Sequence, residues 1–257
     1  MADVKADVKL GKLAKKVDSR TLQLRTILKA LPPIPDSYDV DSTLTGSIPM
    51  PMFGNDQWGD CVMAGRAHMT LRFEDFEQRQ ILAISDSEVL NEYWKEQGAG
   101  KGCLLFRKKQ HPDNGLVMLD SLNCWRKGWK AAGNIYDIYA FAEVGEATNQ
   151  MVKAAIYLLS GSYAGVELPI SAQNQDIWDV DNSPNGAPGS WGGHCVYIVA
   201  YDPYYVTCIT WGQRKKMTWG FWDKYVSENY AIVDDRDKFV NNSPVDVNKL
   251  DAYLNQL

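Results

Sequence analysis

The stretch GNDQWGDC (Gly54–Cys61) ends in a cysteine and leads directly into CVMAGRAHMTLRFEDFEQRQ (61–80), which predicts a long helix. Cys61 therefore stands at the start of a helix. The free N–H groups and the dipole of a helix N-terminus favour negative charge, and the thiolate is the nucleophilic form of cysteine. The adjacent Asp60 opposes this weakly. Since a lone cysteine is also often a small buried hydrophobe, the stretch alone allows a catalytic or a structural thiol.

Histidines are few, at positions 68, 111 and 194, and a base that works near neutral pH must come mainly from them. His68 lies seven residues after Cys61 on the same predicted helix, about 10 Å further along its axis, so we expect a structural role. His111 lies in the polar loop KKQHPDNG, and we expect it to be exposed. His194 follows two glycines and opens the apolar strand HCVYIVAYD (194–202), from where it can point into a cleft.

Composition describes an ordinary globular chain and excludes several classes. Of 257 residues, 45% are hydrophobic and 23% charged, and the net charge of -5 argues against a nucleic-acid surface. No apolar run is long enough to cross a membrane, and MADVKADVKLGKLAKK lacks the apolar segment of a secretion signal. We therefore expect a cytoplasmic or assembly-associated protein with neither nucleic-acid nor membrane partners.

Cysteine usage favours reduced thiols. The five cysteines form an odd number without a C-x-x-C pair, which fits neither a zinc ribbon nor a disulfide framework. The stretch DVDNS (179–183) resembles a calcium loop, but its glycine and distal glutamate are misplaced. We predict no metal and no cofactor.

Predicted helices precede predicted strands. The helical patterns cover 61–80, 86–98, 115–129 and 145–161, and the β-branched and aromatic runs cover 162–170, 194–202, 204–212 and 229–235. Such an order indicates an α+β protein with a helical part and a strand-rich part.

The two ends of the chain differ from its centre. Residues 1–30 carry eight Lys or Arg against three Asp, and their apolar spacing predicts a basic helical extension. This arm could pack on its own domain, support self-association or partner docking, or act as a short inhibitory pro-segment. We expect a domain at 31–235, with a helical part at about 50–150 and a strand-rich part at about 151–235, and a tail with a short helix at 236–257.

The order of these motifs resembles that of the papain-like cysteine peptidases. Gly59 and Cys61 match the family's glycine and nucleophile, and Asn55 stands where the family has glutamine. The stretch GGHCVYIVAYD (192–202) is similar to its histidine motif, and ITWGQRKKMTWG (209–220) keeps both of its Trp-Gly pairs. With weaker similarities between them, the matched stretch runs from Leu31 to Asp235.

The resemblance implies a papain-like α+β fold: a helical subdomain and an antiparallel β-barrel-like subdomain, with the site in the cleft between them. It makes Cys61 the nucleophile and His194 the base and acid. The oxyanion would be held by the backbone N–H of Cys61 and the amide of Asn55, with Gln57 as the second choice.

Substrate contacts also follow from the resemblance. Asn114 and Gly115 stand where the family pairs with the substrate backbone, and Gly192 and Gly193 would form the opposite wall. Trp211 would shield the site.

The sequence departs from the family at the residue that orients the histidine. Ungapped alignment puts Ile209 where the family has asparagine, and Ile cannot hold an imidazole. Thr210 remains a candidate if the register shifts by one residue, although such a shift changes the face of the strand. Trp58 stands where extracellular members have a disulfide cysteine, which suggests an intracellular relative.

Three functions compete at this point. The first is a thiol hydrolase that cleaves peptide or other amide bonds through a thioester, with a peptide or protein as substrate. The second is an inert papain-like module with a binding or assembly role, motivated by the missing asparagine and the basic arm. The third is acyl transfer to an amine by the same thioester chemistry.

Overall fold

A computed structural model describes residues 8–98, 112–145, 149–236 and 243–255. His111 and Cys103 lie outside these ranges, so the exposure of His111 stays a prediction.

Helices and strands alternate in groups along the chain. The helices are α1 Leu24–Ile27, α2 Cys61–Gln78, α3 Asp86–Gly98, α4 Met118–Trp125, α5 Asn149–Leu158, α6 Trp219–Tyr225 and α7 Val247–Leu254. The strands are β1 Tyr38–Asp39, β2 Trp129–Ala131, β3 Asn134–Tyr136, β4 Ala140–Glu143, β5 Ser162–Leu168, β6 Gly192–Tyr201, β7 Tyr205–Thr210, β8 Gln213–Thr218 and β9 Val226–Val233. None of the helices in these ranges combines the length and apolar character needed to cross a bilayer.

An antiparallel sheet forms one half of the molecule. Its strand order is β4-β9-β5-β6-β7-β8, with β1 added beside β6, while β2 and β3 form a separate hairpin. Side chains alternate between the two faces of each strand. On β6, Tyr197 and Val199 pack with the helical half, whereas Val196 and Ile198 pack in a second core with α1, α5, α6 and α7.

Helix α2 is buried around most of its circumference, which explains why it shows little amphipathic pattern. Its interior charges have partners, as buried charges must. Arg72 Nε lies 2.7 Å from Asp41 Oδ1, and Arg66 lies 2.7 Å from Glu96. The helix is thereby fixed between the sheet and α3, with Cys61 at its first position.

The N-terminal arm differs from its prediction. Residues 8–17 contain no helix, a turn brings Thr21 N–H to the carbonyl of Asp18, and helix is confined to Leu24–Ile27. The reason is tertiary: hydrogen bonds from neighbouring segments satisfy the backbone of residues 11–13, so the helical spacing of the apolar residues is overridden. The C-terminal tail contains the expected short helix, α7, whose Leu250 is buried.

Two polar segments also differ from expectation. The charged stretch QRKKM (213–217) lies outside the predicted strands, but it belongs to β8, which pairs with β7 along its whole length. The third predicted helix ends at Trp125, and Gly128, with φ +87°, turns the chain into the β2–β3 hairpin. Both segments gain regular hydrogen bonding from a neighbour that no local pattern reveals.

Candidate active site

Cys61 is the first residue of α2 and is fully buried. Its Sγ accepts a hydrogen bond from the backbone N–H of Cys195 at 3.4 Å. Burial raises the pKa of the thiol to about 11, and the N–H groups of Cys195 and Gly11 offset only part of that shift. The sulfur therefore lies next to Cys195, the residue that follows His194. At neutral pH it is a protonated thiol.

His194 stands near the start of β6, also fully buried. Its Nε2 lies 2.6 Å from Oγ1 of Thr210, and its ring stacks on Trp211 with centroids 4.3 Å apart and planes at 19°. Burial lowers the pKa of the imidazole to about 3, so the ring is neutral. Among the described residues, Nδ1 has no hydrogen-bond partner, so no bond links the thiol directly to the imidazole.

Thr210, not Ile209, contacts the histidine. Ile209 pairs with Tyr197 across β6 and β7 and is buried in the core shared with α2. Because consecutive residues of a strand face opposite sides, the next side chain, Thr210, faces His194. The ungapped alignment thus assigned this position to the wrong one of two neighbours.

The N-terminal arm lies in the cleft beside these groups. Lys12 N–H donates to the carbonyl of Gly193 at 3.1 Å. On the other side, Leu116 N–H donates to Gly11 O at 2.8 Å, and Leu13 N–H donates to Leu116 O at 2.9 Å. This short pairing is parallel in direction. Residues 11–13 thus bridge the two walls of the cleft as an extra strand.

Glycine makes this close approach possible. A Cβ on Gly11 would meet the carbonyl oxygen of Gly59 at 1.6 Å, and one on Gly115 would meet Gly11 O at 2.2 Å. A Cβ on Gly193 would lie 2.3 Å from Lys12 O. Real side chains do not tolerate such distances, so glycine is required on the arm and on both walls.

Solved structures share this arrangement of helical half, sheet and cleft. Xylellain, a cysteine protease from Xylella fastidiosa, matches with a TM-score of 0.65 at 15% identity, over 91% of this chain and 99% of that one. Procathepsin L 3 of Tenebrio molitor larval midgut gives 0.61 at 10% identity over 89% and 77%. Procathepsin B S9 of Trypanosoma congolense gives 0.59 at 12% over 91% and 89%.

The chain has the papain-like fold. At these identities the likeness concerns the fold alone. No family model and no curated protein sequence matches the chain significantly. The predicted papain-like α+β fold is confirmed, whereas roles for single residues depend on the geometry of this chain.

In this papain-like fold the two expected oxyanion donors, Asn55 and Gln57, lie in different surroundings. Asn55 is buried, and its Nδ2 donates to Trp58 O at 3.1 Å. The same amide favours the ionised form of the buried Asp60, but burial dominates and raises the pKa of Asp60 to about 8. Gln57 is exposed on the surface of the loop. Asn55 is thus engaged within its own loop.

The residues expected to contact substrate differ in their contacts with the arm. Gly115 backs the arm closely, but Leu116 makes the strand-like hydrogen bonds. Asn114 is exposed, and its N–H donates to Gln97 Oε1 at 3.0 Å. On the opposite wall Gly193 accepts from Lys12, and Gly192 lies against Leu10.

His68 is buried on α2, where its ring lies 4.9 Å from that of Phe53. Burial, together with the nearby charge of Arg72, lowers its pKa to about 3. This placement agrees with a structural role in the helical half.

Three residues at the cleft were missed by sequence reasoning. Lys12 lies in the arm with its ammonium buried against Glu167 and Glu228. The only local signal was an acidic residue within each of two strands, between apolar residues in VEL on β5 and between polar residues in SEN on β9. Such residues are unusual in buried strands and mark a buried ion pair or a site.

Proposed function

We propose that this chain is a cysteine-dependent hydrolase of peptide bonds whose N-terminal arm keeps the cleft closed. The observation that carries the proposal is the hydrogen bond from the N–H of Cys195 to Cys61 Sγ. Cys195 directly follows His194, whose ring is hydrogen-bonded to Thr210. The papain-like fold, with a helical half against a sheet, is consistent with a shared cleft for these groups. Two compared structures are named as pro-forms of cathepsins, which agrees with a closed state.

The reaction would use each group in turn. With the arm displaced, water reaches the cleft, and a proton moves from the Cys61 thiol to Nδ1 of His194. The thiolate attacks the peptide carbonyl, and the resulting oxyanion is held by N–H groups at the start of α2. His194 then protonates the leaving amine as the C–N bond breaks, which leaves a thioester. Water, deprotonated by His194, hydrolyses the thioester and releases the thiol.

Thr210 serves as a positioning residue in this scheme. Its hydroxyl fixes the far nitrogen of the ring, as the acid of a catalytic triad does. A hydroxyl carries no charge, so it stabilises an imidazolium less than a carboxylate would.

The test compares protein with and without a released arm. The Gly11→Ala variant, whose new methyl group cannot fit beside Gly59, is incubated with a pool of internally quenched peptides, alone and combined with Cys61→Ala. Cleavage by Gly11→Ala that disappears in the double variant supports the proposal. Absence of cleavage in Gly11→Ala, together with Cys61 alkylation no faster than that of Cys124, contradicts it.

A binding or assembly module is the second candidate. It is favoured by the complete burial of Cys61 and His194 and by the filled cleft. In that case Cys61→Ala leaves partner binding and oligomeric state unchanged, and no peptide is cleaved after release of the arm. Residues 8–17 pack on their own chain, so docking through this arm would require it to leave the cleft.

A further inference from the structure

Lys12 occupies a closed acidic pocket beside the thiol. Its Nζ lies 2.8 Å from Glu167 Oε1 and 3.1 Å from Glu228 Oε1, and it donates to Leu13 O at 3.2 Å. The side chains of Lys12 and Glu228 are fully buried, and that of Glu167 is 33% exposed. The ammonium thus donates hydrogen bonds to Leu13 O and Glu167 Oε1 and forms an ion pair with the buried carboxylate of Glu228.

The sheet builds this pocket by its register. Gly165 and Glu167 are two residues apart on β5 and therefore share a face. Glu228 on β9 pairs with Gly165, and Glu167 pairs with Gly193, the residue whose carbonyl accepts from Lys12 N–H. The pairing of β5 with β6 and β9 thus sets the backbone positions of both glutamates, next to a register shift between Gly165 and Val166.

Shape favours a long unbranched side chain. A Cβ on Gly165 would lie 2.2 Å from Lys12 Cε and 2.8 Å from Met118 Sδ, so the missing side chain leaves room for the lysine stem. Ser227 Oγ donates to Glu167 Oε1 at 3.1 Å and holds the carboxylate at the rim. Tyr230 donates its hydroxyl to Glu228 Oε2 at 3.0 Å and holds the carboxylate at the base.

Charge favours a cation after the arm has left. Without Lys12, a buried carboxylate would remain beside a second one, and an uncompensated buried charge is strongly unfavourable. A ligand that supplies an ammonium or guanidinium group removes this penalty, whereas an apolar side chain leaves it in place. Both groups match paired carboxylates, and guanidinium adds planar, bidentate geometry.

We propose that the Glu167–Glu228 pocket selects a lysine or arginine side chain of the substrate, next to the bond that is cleaved. The role of the pocket in cleavage rests on the proposed function. Binding of a basic side chain in the pocket does not require catalysis. Lys12 then imitates the selected side chain, and the arm competes with substrate for the same pocket. Gly11, the neighbour of Lys12, packs directly against Gly59, which is two residues before Cys61, and this places the pocket within about two residues of the reacting carbonyl, given the ~3.4 Å rise per residue of an extended chain.

The first experiment measures binding without catalysis. Full-length protein with Gly11→Ala and Cys61→Ala is titrated with a fluorescent peptide of residues 8–17, and with the same peptide carrying Lys12→Met. We expect the lysine peptide to bind roughly 10- to 100-fold more tightly. The preference should largely disappear when the protein carries Glu228→Gln.

Two further variants protect this test. Glu167→Gln removes the charge of the partly exposed carboxylate at the rim and should reduce the preference for the lysine peptide. This variant keeps the test decisive if thermal melting shows that Glu228→Gln does not fold. Asp120→Asn removes a surface partner of Lys16 and serves as the matched control. It should change both affinities equally, by no more than about five-fold. Equal affinity of the two peptides, or a preference that survives both glutamate substitutions, overturns the proposal.

The second experiment measures cleavage in the Gly11→Ala protein with an intact thiol. A library of internally quenched peptides should show Lys or Arg enriched at one position within two residues of the cleaved bond, and Glu228→Gln should remove the enrichment. Cleavage without basic preference, with equal binding of the two peptides, refutes the pocket and leaves the hydrolase. Selective binding without any cleavage refutes the hydrolase and leaves the pocket.

Discussion

His194 Nε2 lies 2.6 Å from Oγ1 of Thr210, across the ends of two neighbouring strands. The bond fixes the ring with Trp211 against its face and leaves Nδ1 without a partner among the described residues. A ring held in this way can exchange a proton through Nδ1 alone, because Nε2 is already engaged. The hydroxyl that contacts the ring belongs to Thr210, one residue beyond Ile209, the position that ungapped alignment gives.

Removing this hydroxyl should weaken catalysis and leave the fold intact. In the Gly11→Ala background, Thr210→Val should lower kcat/KM for peptide cleavage by at least about 10-fold, because the imidazole loses its fixed orientation. Thr210→Ser should retain most activity. Thr207→Val, on the opposite face of β7, serves as the control, and an equal loss in both valine variants would contradict the assigned role.

Release of the arm should change the reactivity of Cys61. In the closed state burial holds the pKa of this thiol at about 11, whereas an ordinary cysteine titrates near 8.5. Gly11→Ala should therefore raise the rate of iodoacetamide modification of Cys61 at pH 7 by roughly 100-fold. Mass spectrometry of the modified peptides provides the measurement. The control is Gly46→Ala, whose added methyl group meets nothing closer than 3.6 Å and should change nothing.

Asp60 should make stability depend on pH. Its pKa of about 8 in the folded chain exceeds the ordinary value of 3.8, so the folded state retains a proton that the unfolded state loses. This contribution to the free energy of unfolding is complete below about pH 4 and is lost as pH rises toward 8, by several kcal/mol. Urea titrations at pH 5 and pH 8 should show a smaller difference for Asp60→Asn than for the parent. Equal differences would show that Asp60 does not retain its proton.

Trp211 should control the titration of His194. The indole stacks on the imidazole and contributes to the burial that lowers its pKa to about 3. Trp211→Ala should admit water and raise this pKa toward its ordinary value of about 6.5. NMR titration of the histidine ring protons gives the measurement, with His68 as an internal reference whose pKa should stay low. An unchanged His194 titration would assign its burial to the arm instead.

Sequence reasoning was most successful for the fold. A helix start and a glycine pair before an apolar strand are short-range signals, so Cys61 and His194 could be singled out as candidates and the fold predicted. Thr210 was harder to identify, because adjacent positions of a strand face opposite sides and alignment alone does not decide between them.

The acidic pocket could not be predicted in this way. Glu167 and Glu228 lie 61 residues apart in sequence and meet only through the pairing of β5 with β9. The arm was also misjudged, because its apolar spacing is helical while its hydrogen-bond partners lie on Leu116 and Gly193. Tertiary contacts determine both the acidic pocket and the conformation of the arm, and local sequence patterns do not report such contacts.

Under the proposed function, the covalent link between the arm and the domain on which it packs sets how the cleft can open. A tethered segment meets its groove at an effective concentration that reaches the millimolar range for short flexible connections, and this value does not fall when the protein is diluted. Dilution alone therefore cannot expose the thiol. An external peptide must exceed that local concentration, or the connection must be cut, before the groove becomes free.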